Sequence, residues 1–232
     1  MSMRNAMLVL ALGVTLAGCG KKQDDATPAN AAPEATAATA ATATEQPAAP
    51  AVGSEAMPAP AVTAFDINAI PVSTATLPAW PYVLLPAGYQ FNYADDLASR
   101  TKDLARVPVW TGGQLLWVEG KVFSDRIDNQ DGKTYSRFEV RKNVQQAIEA
   151  LGGVRLTERT FDEATYKANE KALDDVRQEF DRMQSAYWYD EDADTYVIRR
   201  ADKAIWVVFQ SSNDRGALLV AEGPLPEAPA KS

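Results

Sequence analysis

The strongest constraint on the fold is a change in composition near residue 64. Residues 20–63 contain 16 Ala, 6 Pro and 6 Thr, and no aromatic residue. Such a stretch has too little apolar surface to offset the entropy of ordering it. All 5 Trp and all 7 Phe follow, between residues 65 and 223. We therefore predict a disordered tether over 19–64, one globular domain over 65–223 and a disordered tail over 224–232.

The first residues predict export. In residues 1–18, Arg4 precedes an apolar run from Ala6 to Leu16, which leads into Leu-Ala-Gly-Cys ending at Cys19. A short cationic region, a short apolar region and small residues before a cleavage point make a signal peptide. The last four residues resemble a bacterial lipobox, which implies that Cys19 is acylated and starts the mature chain. The alternative is a buried cysteine ending an uncleaved membrane helix, for which the run is shorter than the ~20 residues needed.

The residues after the cysteine bear on which membrane holds the anchor. Gly20, in place of Asp, resembles the pattern for sorting to the outer membrane, on its periplasmic face. Lys21 and Lys22 resemble inner-membrane retention patterns of some pseudomonads, which keeps the inner membrane as the alternative. The predicted contact with the membrane is through the lipid alone.

Composition narrows the function. The chain has a formal charge of −8, no histidine and a single cysteine. Without histidine the usual general base, zinc ligand and catalytic triads are missing. An acidic chain without a basic cluster is a poor partner for nucleic acid. We therefore expect a non-catalytic protein that needs no cofactor and binds no nucleic acid, with an unidentified envelope protein or glycan as partner.

Hydrophobic periodicity predicts the elements of the domain. Capping boxes at Ser136-x-x-Glu139 and Thr160-x-x-Glu163 predict two helices. The first ends at Gly152-Gly153. The second extends to about Ala186 and carries an apolar stripe at Ala164, Ala168, Ala172, Val176, Phe180 and Met183. The strands are predicted at residues 80–85 (an edge strand), 114–124, 154–157, 195–200, 204–210 and 216–221.

This order of elements predicts an α+β fold. We expect a single, mainly antiparallel sheet with both helices packed on one face and a C-terminal three-strand meander. Residues 205–209 are apolar at every position, which suits a central strand. We expect five residues to be buried together where the helices meet that strand: Val144, Ile148, Phe180, Trp206 and Val208.

Several short motifs are similar to a known module. They are Phe65-Asp66-Ile67, Ile70-Pro71-Val72-Ser73, Trp80-Pro81-Tyr82 and Leu85-Pro86-x-Gly88-Tyr89. They resemble the segment upstream of the OmpA-like domain in some bacterial outer-membrane lipoproteins, which implies an envelope location and no catalytic mechanism. The Asn-x-x-Leu-Ser-x-x-Arg-Ala helix of the OmpA-like domain is missing from this sequence, so the resemblance does not imply peptidoglycan binding.

Alternating carboxylates form one candidate metal site. Asp190, Asp192 and Asp194 have the spacing that oxygen-ligated calcium favours. An EF-hand loop would also need Gly at the sixth position and Glu at the twelfth, where this chain has Thr195 and Ala201. The interpretation we favour is a solvated loop without metal.

Aromatic residues give a second candidate site. Trp80, Tyr187, Trp188 and Tyr189 have the ring faces with which proteins hold sugars or peptides, so they are candidates for a ligand groove. The favoured alternative is that they fill the core. A hydrolase using two carboxylates is a weaker hypothesis, because no spacing selects a pair among Asp125, Asp128, Asp131, Glu158 and Glu163.

Overall fold

The computed structural model describes residues 64–227, so the predicted signal peptide, Cys19, nearly all of the tether and the last residues of the tail lie outside it. Within the described residues there are seven strands and two α-helices. The strands and helices are β1 (Tyr89–Phe91), β2 (Thr101–Trp110), β3 (Leu115–Asn129), α1 (Arg137–Ala150), β4 (Val154–Arg159), α2 (Glu163–Glu179), β5 (Asp192–Arg199), β6 (Lys203–Ser211) and β7 (Gly216–Pro224).

The strands form one antiparallel sheet. Its order is β1-β3-β7-β6-β5-β4, and β2 also pairs with β3. The long strand β3 pairs with β2 and β1 along one edge and with β7 along the other. The α+β class, the antiparallel sheet and the C-terminal meander β5-β6-β7 are therefore confirmed.

The helices lie on opposite faces of this sheet, which corrects the expectation that they share one. Side chains of β6 alternate between two clusters: Trp206 packs with residues of α2, and Val207 packs with residues of α1. We call these the α2-side cluster and the α1-side cluster. Because residues 205–209 are apolar on both faces of a central strand, each face needs its own cover.

The five predicted core residues are all buried, but in two groups. Val144 and Ile148 belong to the α1-side cluster, while Phe180, Trp206 and Val208 belong to the α2-side cluster. The two groups are separated by the sheet itself.

The cap predicted for α1 forms in part. The Ser136 hydroxyl accepts from the Glu139 N–H at 3.3 Å, as a capping box requires. The Glu139 carboxylate instead binds Lys133 Nζ at 2.8 Å and the Tyr89 hydroxyl at 3.0 Å. The Ser136 N–H donates to that hydroxyl at 3.0 Å, so Tyr89 replaces the returning half of the box.

The second helix starts and ends at residues other than those predicted. Its N-cap is Asp162, which accepts from the Thr165 N–H at 2.7 Å, whereas the Thr160 hydroxyl binds the Glu191 backbone. The helix ends at Glu179 and does not extend to Ala186 as predicted. Two 3₁₀ turns follow it. Its buried positions are Tyr166, Leu173 and Val176, and the early alanines of the predicted stripe are exposed. Neither helix in 64–227 is long and apolar enough to cross a membrane.

Two strands were not predicted. β1 and β2 flank an irregular stretch, and residues 80–85, predicted as an edge strand, form no strand. Buried and exposed residues alternate only weakly along β2, so periodicity gave little signal for it. Its first half is largely exposed, and its pairing with β3 shifts register between Lys102 and Ala105.

One arginine fastens the start of the domain to the sheet. Arg199 donates to the backbone oxygens of Asn68 at 3.2 Å and Ile70 at 3.0 Å, and to the Asn68 side chain at 2.9 Å. Its own carbonyl accepts from the Ser73 N–H at 2.8 Å, beside a parallel bridge to Val72. We call these contacts the Arg199 clamp.

Candidate functional site

The four aromatic candidates do not form one groove. Trp80 packs against the α1-side cluster. Tyr187, Trp188 and Tyr189 belong to or pack against the α2-side cluster, on the other face of the sheet. A ligand could not bridge these two groups across the sheet.

The group on the α2 side is packed. Tyr187 is 2% exposed, and the Trp188 and Tyr189 rings stack at 5.0 Å with Tyr166 against both. Arg177 lies 4.4 Å from the centre of the Trp188 ring. The cavity beside Tyr187 measures only about 10 Å³, which leaves no room for a ligand. These contacts favour the core interpretation of this group.

The alternating aspartates separate structurally. Asp190 is exposed in a loop, with φ 56°, while Asp192 and Asp194 lie in β5, which starts earlier than predicted. Arg137 donates to Asp192 at 2.7 Å. Arg141 binds both oxygens of Asp194 at 2.9 Å, and Arg155 lies 3.7 Å from one of them.

Arginine side chains therefore pair with two of the three carboxylates that a metal would need, those of Asp192 and Asp194. No group of three acidic, His or Cys residues in 64–227 is arranged to hold a metal ion. Burial raises the pKa of the Asp194 carboxyl in spite of Arg141 and Arg155, whereas the hydrogen bond from Arg137 lowers the pKa of Asp192. These ion pairs connect α1 to the N-terminal end of β5, which lies near the β6–β7 hairpin loop.

Four of the five carboxylates considered for hydrolysis have other partners, and the fifth is exposed to solvent. Asp125 is fully buried and accepts from the Tyr93 N–H at 2.8 Å. Asp128 binds Arg126 at 2.8 Å, Glu158 binds Arg155 at 2.7 Å and Glu163 binds Lys167 at 2.7 Å. Asp131 is exposed in the turn after β3.

A large opening lies on the α1 side, beside the irregular chain before β2. It is a cleft of about 350 Å³, within the range typical of ligand sites. We call it the apolar cleft. It is lined by Ala79, Trp80, Pro81, Val83, Leu84, Leu85, Tyr89, Gln90, Phe91, Ala94 and Leu97.

Hydrogen bonds fix the wall of this cleft. Trp80 Nε1 donates to the Thr101 hydroxyl at 3.0 Å, and the Tyr82 hydroxyl donates to Glu222 at 2.6 Å. Burial and the Glu222 bond raise the pKa of Tyr82 to about 12. Lys121 lies 4.7 Å from the centre of the Trp80 ring. The wall is therefore held in place before any ligand arrives.

One of the two non-glycine residues with positive φ in 64–227 lies at the same wall. Tyr82 has φ 71°, in the left-handed region that costs a non-glycine residue about 1–3 kcal/mol. Such strain persists only where surrounding contacts hold it, and it is frequent at binding sites. The contacts of Trp80 and Tyr82 with β2, β3 and β7 hold it here.

The chemistry of the apolar cleft is that of binding. Its lining contains no carboxylate, amine or guanidinium group. Its phenol, Tyr89, is engaged by Glu139 and the Ser136 N–H. Leu84, on the lining, is 65% exposed, which is high for a leucine. The site can therefore take up apolar side chains but offers no acid–base pair.

Sequence reasoning identified one residue of this site, Trp80, and assigned it to a groove with the wrong neighbours. The available signal was the Pro-punctuated stretch between Leu77 and Pro86, whose apolar residues follow neither helix nor strand periodicity. No family model matches the chain, and no curated protein is similar to it.

Proposed function

We propose that this protein is a non-catalytic, lipid-anchored component of a bacterial cell envelope, on the periplasmic face of the outer membrane. Its domain binds a partner polypeptide through the apolar cleft. The anchor is inferred from the sequence ending at Cys19, and the binding role from the structure of the cleft.

The observation that carries the binding role is the contrast between the cleft and its walls. The walls are fixed by buried side chains and by hydrogen bonds from Trp80 and Tyr82, yet the space between them is open and apolar. A preformed apolar opening binds without a large ordering cost. The lining has no titratable pair that would support catalysis instead.

Charge beside the cleft favours one kind of occupant. Asp95 and Asp96 lie between the lining residues Ala94 and Leu97, and neither forms an ion pair within 64–227. The complementary partner is a segment that places apolar side chains in the cleft and lysine or arginine next to them.

Defined peptides test this role. The full-length chain with Cys19→Ser would be titrated with a peptide of three leucines followed by three lysines, and with its glutamate counterpart. We expect the lysine peptide to shift the indole N–H resonance of Trp80 and to bind roughly tenfold more tightly than the glutamate peptide. Equal affinity, or shifts confined to other tryptophans, would contradict the proposal.

A matched pair of leucine variants provides the control. Leu84 on the cleft is 65% exposed and Leu104 on β2 is 78% exposed, so either tolerates a charge without loss of core packing. We expect Leu84→Asp to abolish peptide binding and Leu104→Asp to leave it unchanged. An equal loss in both variants would show that the peptide adsorbs to apolar surface in general.

The anchor has its own test, independent of the cleft. In cells, Cys19→Ser should release the protein from membranes or leave it as an unprocessed precursor. A variant that stays membrane-bound at mature size would remove the lipid anchor from the proposal. In a density gradient the unaltered protein should sediment with the outer membrane, and its recovery with the inner membrane would contradict the location.

A further inference from the structure

A second, chemically different cleft lies where β7 starts, on the α2 side of the sheet. It measures about 110 Å³ and is lined by Arg126, Asp181, Arg182, Gln210, Arg215, Gly216 and Ala217. Three of these residues are cationic and one is anionic. We call it the arginine cleft, and it shares no lining residue with the apolar cleft.

Arg126 and Arg215 each use two guanidinium N–H groups on a neighbouring aspartate and keep Nη1 free of such a contact within 64–227. The Asp128 carboxylate accepts hydrogen bonds from Nε and Nη2 of Arg126, at 2.8 and 3.2 Å. The Asp214 carboxylate accepts hydrogen bonds from Nε and Nη2 of Arg215, at 3.1 and 2.7 Å. In each case the guanidinium plane is fixed while Nη1 has no acceptor within 64–227. Guanidinium groups fixed in this way are suited to recognise oxyanions.

The third arginine of the lining also has a donor without an acceptor. Arg182 Nε is buried and has no hydrogen-bond acceptor among the described residues. The nearest carboxylate, that of Asp181, lies at 3.7 Å, beyond hydrogen-bond distance. A buried donor without an acceptor is costly, and the Nε atoms of Arg177 and Arg199 are in the same state. Because Arg182 also lines the cleft, an anion bound there would lie beside its guanidinium group.

We propose that the arginine cleft binds a phosphate group. A phosphate presents several acceptor oxygens, which suits donors arriving from three guanidinium groups. Its charge of up to −2 lets it compete with the carboxylates already beside these arginines better than a carboxylate ligand can. The group belongs either to a soluble phosphate ester or to a lipid headgroup.

Titration with inorganic phosphate tests the site. In the full-length chain with Cys19→Ser, at low salt, we expect millimolar phosphate to shift the Nε–H resonance of Arg182, whereas acetate at equal ionic strength does not. Arg182→Gln should weaken phosphate binding by roughly tenfold or more, since it removes a charge-assisted donor. Absence of any shift with either phosphate or vesicles, or equal shifts with acetate, overturns the proposal.

Two further variants control for a general charge effect and for failure of Arg182→Gln to fold. Arg106→Gln removes an arginine of the same chain that pairs with Glu119 and stacks on Trp117 away from this cleft, and it should bind phosphate normally. Arg215→Gln alters the more exposed wall of the site, 56% exposed at the side chain, and provides a second test if Arg182→Gln fails to fold. Equal weakening in Arg106→Gln would assign the effect to overall charge and overturn the site.

Vesicles separate the two sources of phosphate. Binding of inorganic phosphate supports a soluble ester as ligand. Binding only to phosphatidic acid vesicles, lost in Arg182→Gln and kept in Arg106→Gln, supports a lipid headgroup. Because the arginine cleft and the apolar cleft have separate linings, loss of one activity leaves the other testable.

Discussion

The two faces of the sheet are closed to different degrees. On the α2 side the aromatic residues interlock around a cavity of about 10 Å³, whereas the α1 side keeps an open cleft of about 350 Å³. The α2 side is covered by α2, the 3₁₀ turns after it and the chain from Phe65 to Ile70, and the open part of the α1 side by irregular chain between Leu77 and Leu97. The aromatic side chains over the α2 side are in mutual contact, whereas the chain from Leu77 to Leu97 leaves part of its apolar surface open. The apolar cleft lies where this cover is incomplete, while the arginine cleft lies on the α2 side, where β7 starts.

The largest expected effect comes from a Trp→Ala substitution made on each face of the sheet in turn. Trp206 is 1% exposed, so Trp206→Ala should lower the free energy of unfolding by ~3–5 kcal/mol. Trp80 is half-buried at an open wall, so Trp80→Ala should cost only ~1–2 kcal/mol, mainly for its hydrogen bond and cation contact. Urea denaturation of both variants measures the difference. Equal costs would mean that the faces are packed equally well.

The next effect concerns the closed end of the α1 side. Asp194 is 2% exposed and binds Arg141 through both oxygens, so Asp194→Asn should cost ~2–3 kcal/mol. The control Asp192→Asn alters a carboxylate that is 50% exposed and should cost under ~1 kcal/mol. Denaturation midpoints of the two variants decide. A small cost at Asp194 would show that this end is held by packing alone.

The wall of the cleft should respond to alkali. The pKa of Tyr82 is about 12 in the folded protein and ~10 in the unfolded chain. The stabilisation that this raised pKa represents is complete below about pH 10 and is lost as the pH rises toward 12. Tyr82→Phe should therefore lose less stability than the unaltered protein between about pH 9 and about pH 11.5.

Urea midpoints at those two pH values measure the alkaline effect. The control is Tyr93→Phe, which changes an exposed ring whose hydroxyl makes no hydrogen bond within 64–227. It should keep the alkaline loss of the unaltered protein. An unchanged profile in Tyr82→Phe would contradict the raised pKa of Tyr82 and the burial and Glu222 hydrogen bond that cause it.

The smallest effect concerns the exposed aspartates. Asp190→Asn combined with Asp192→Asn should change the melting temperature by about one or two degrees, because exposed charges contribute little. Millimolar calcium should leave the melting curve unchanged. A rise of several degrees with calcium, lost in the double variant, would reinstate Asp190, Asp192 and Asp194 as a metal site.

The parts of the fold that could be predicted from the sequence are those with strong local patterns. The meander is predicted because β5, β6 and β7 are apolar and separated by short turns. The start of α1 is predicted because Ser136 caps it. These signals depend on a few neighbouring residues, and they are little altered by the rest of the chain.

The remainder depends on contacts distant in sequence. The face taken by α2 depends on what already covers the other side, and the start of α2 depends on Asp162 rather than Thr160, whose hydroxyl binds Glu191. The cleft depends on Trp80 and Tyr82 reaching Thr101 and Glu222. Periodicity contains no information on such long-range partners, so only Trp80 was predicted for the site.

The Arg199 clamp has a mechanical consequence. If the proposed lipid anchor holds the chain on its N-terminal side, any pull reaches the domain at residue 64. The clamp joins Asn68, Ile70 and Ser73 to the end of β5, before the chain reaches Trp80. Tension would therefore pass into the sheet through several hydrogen bonds loaded together, and the walls of the apolar cleft would keep their shape under load.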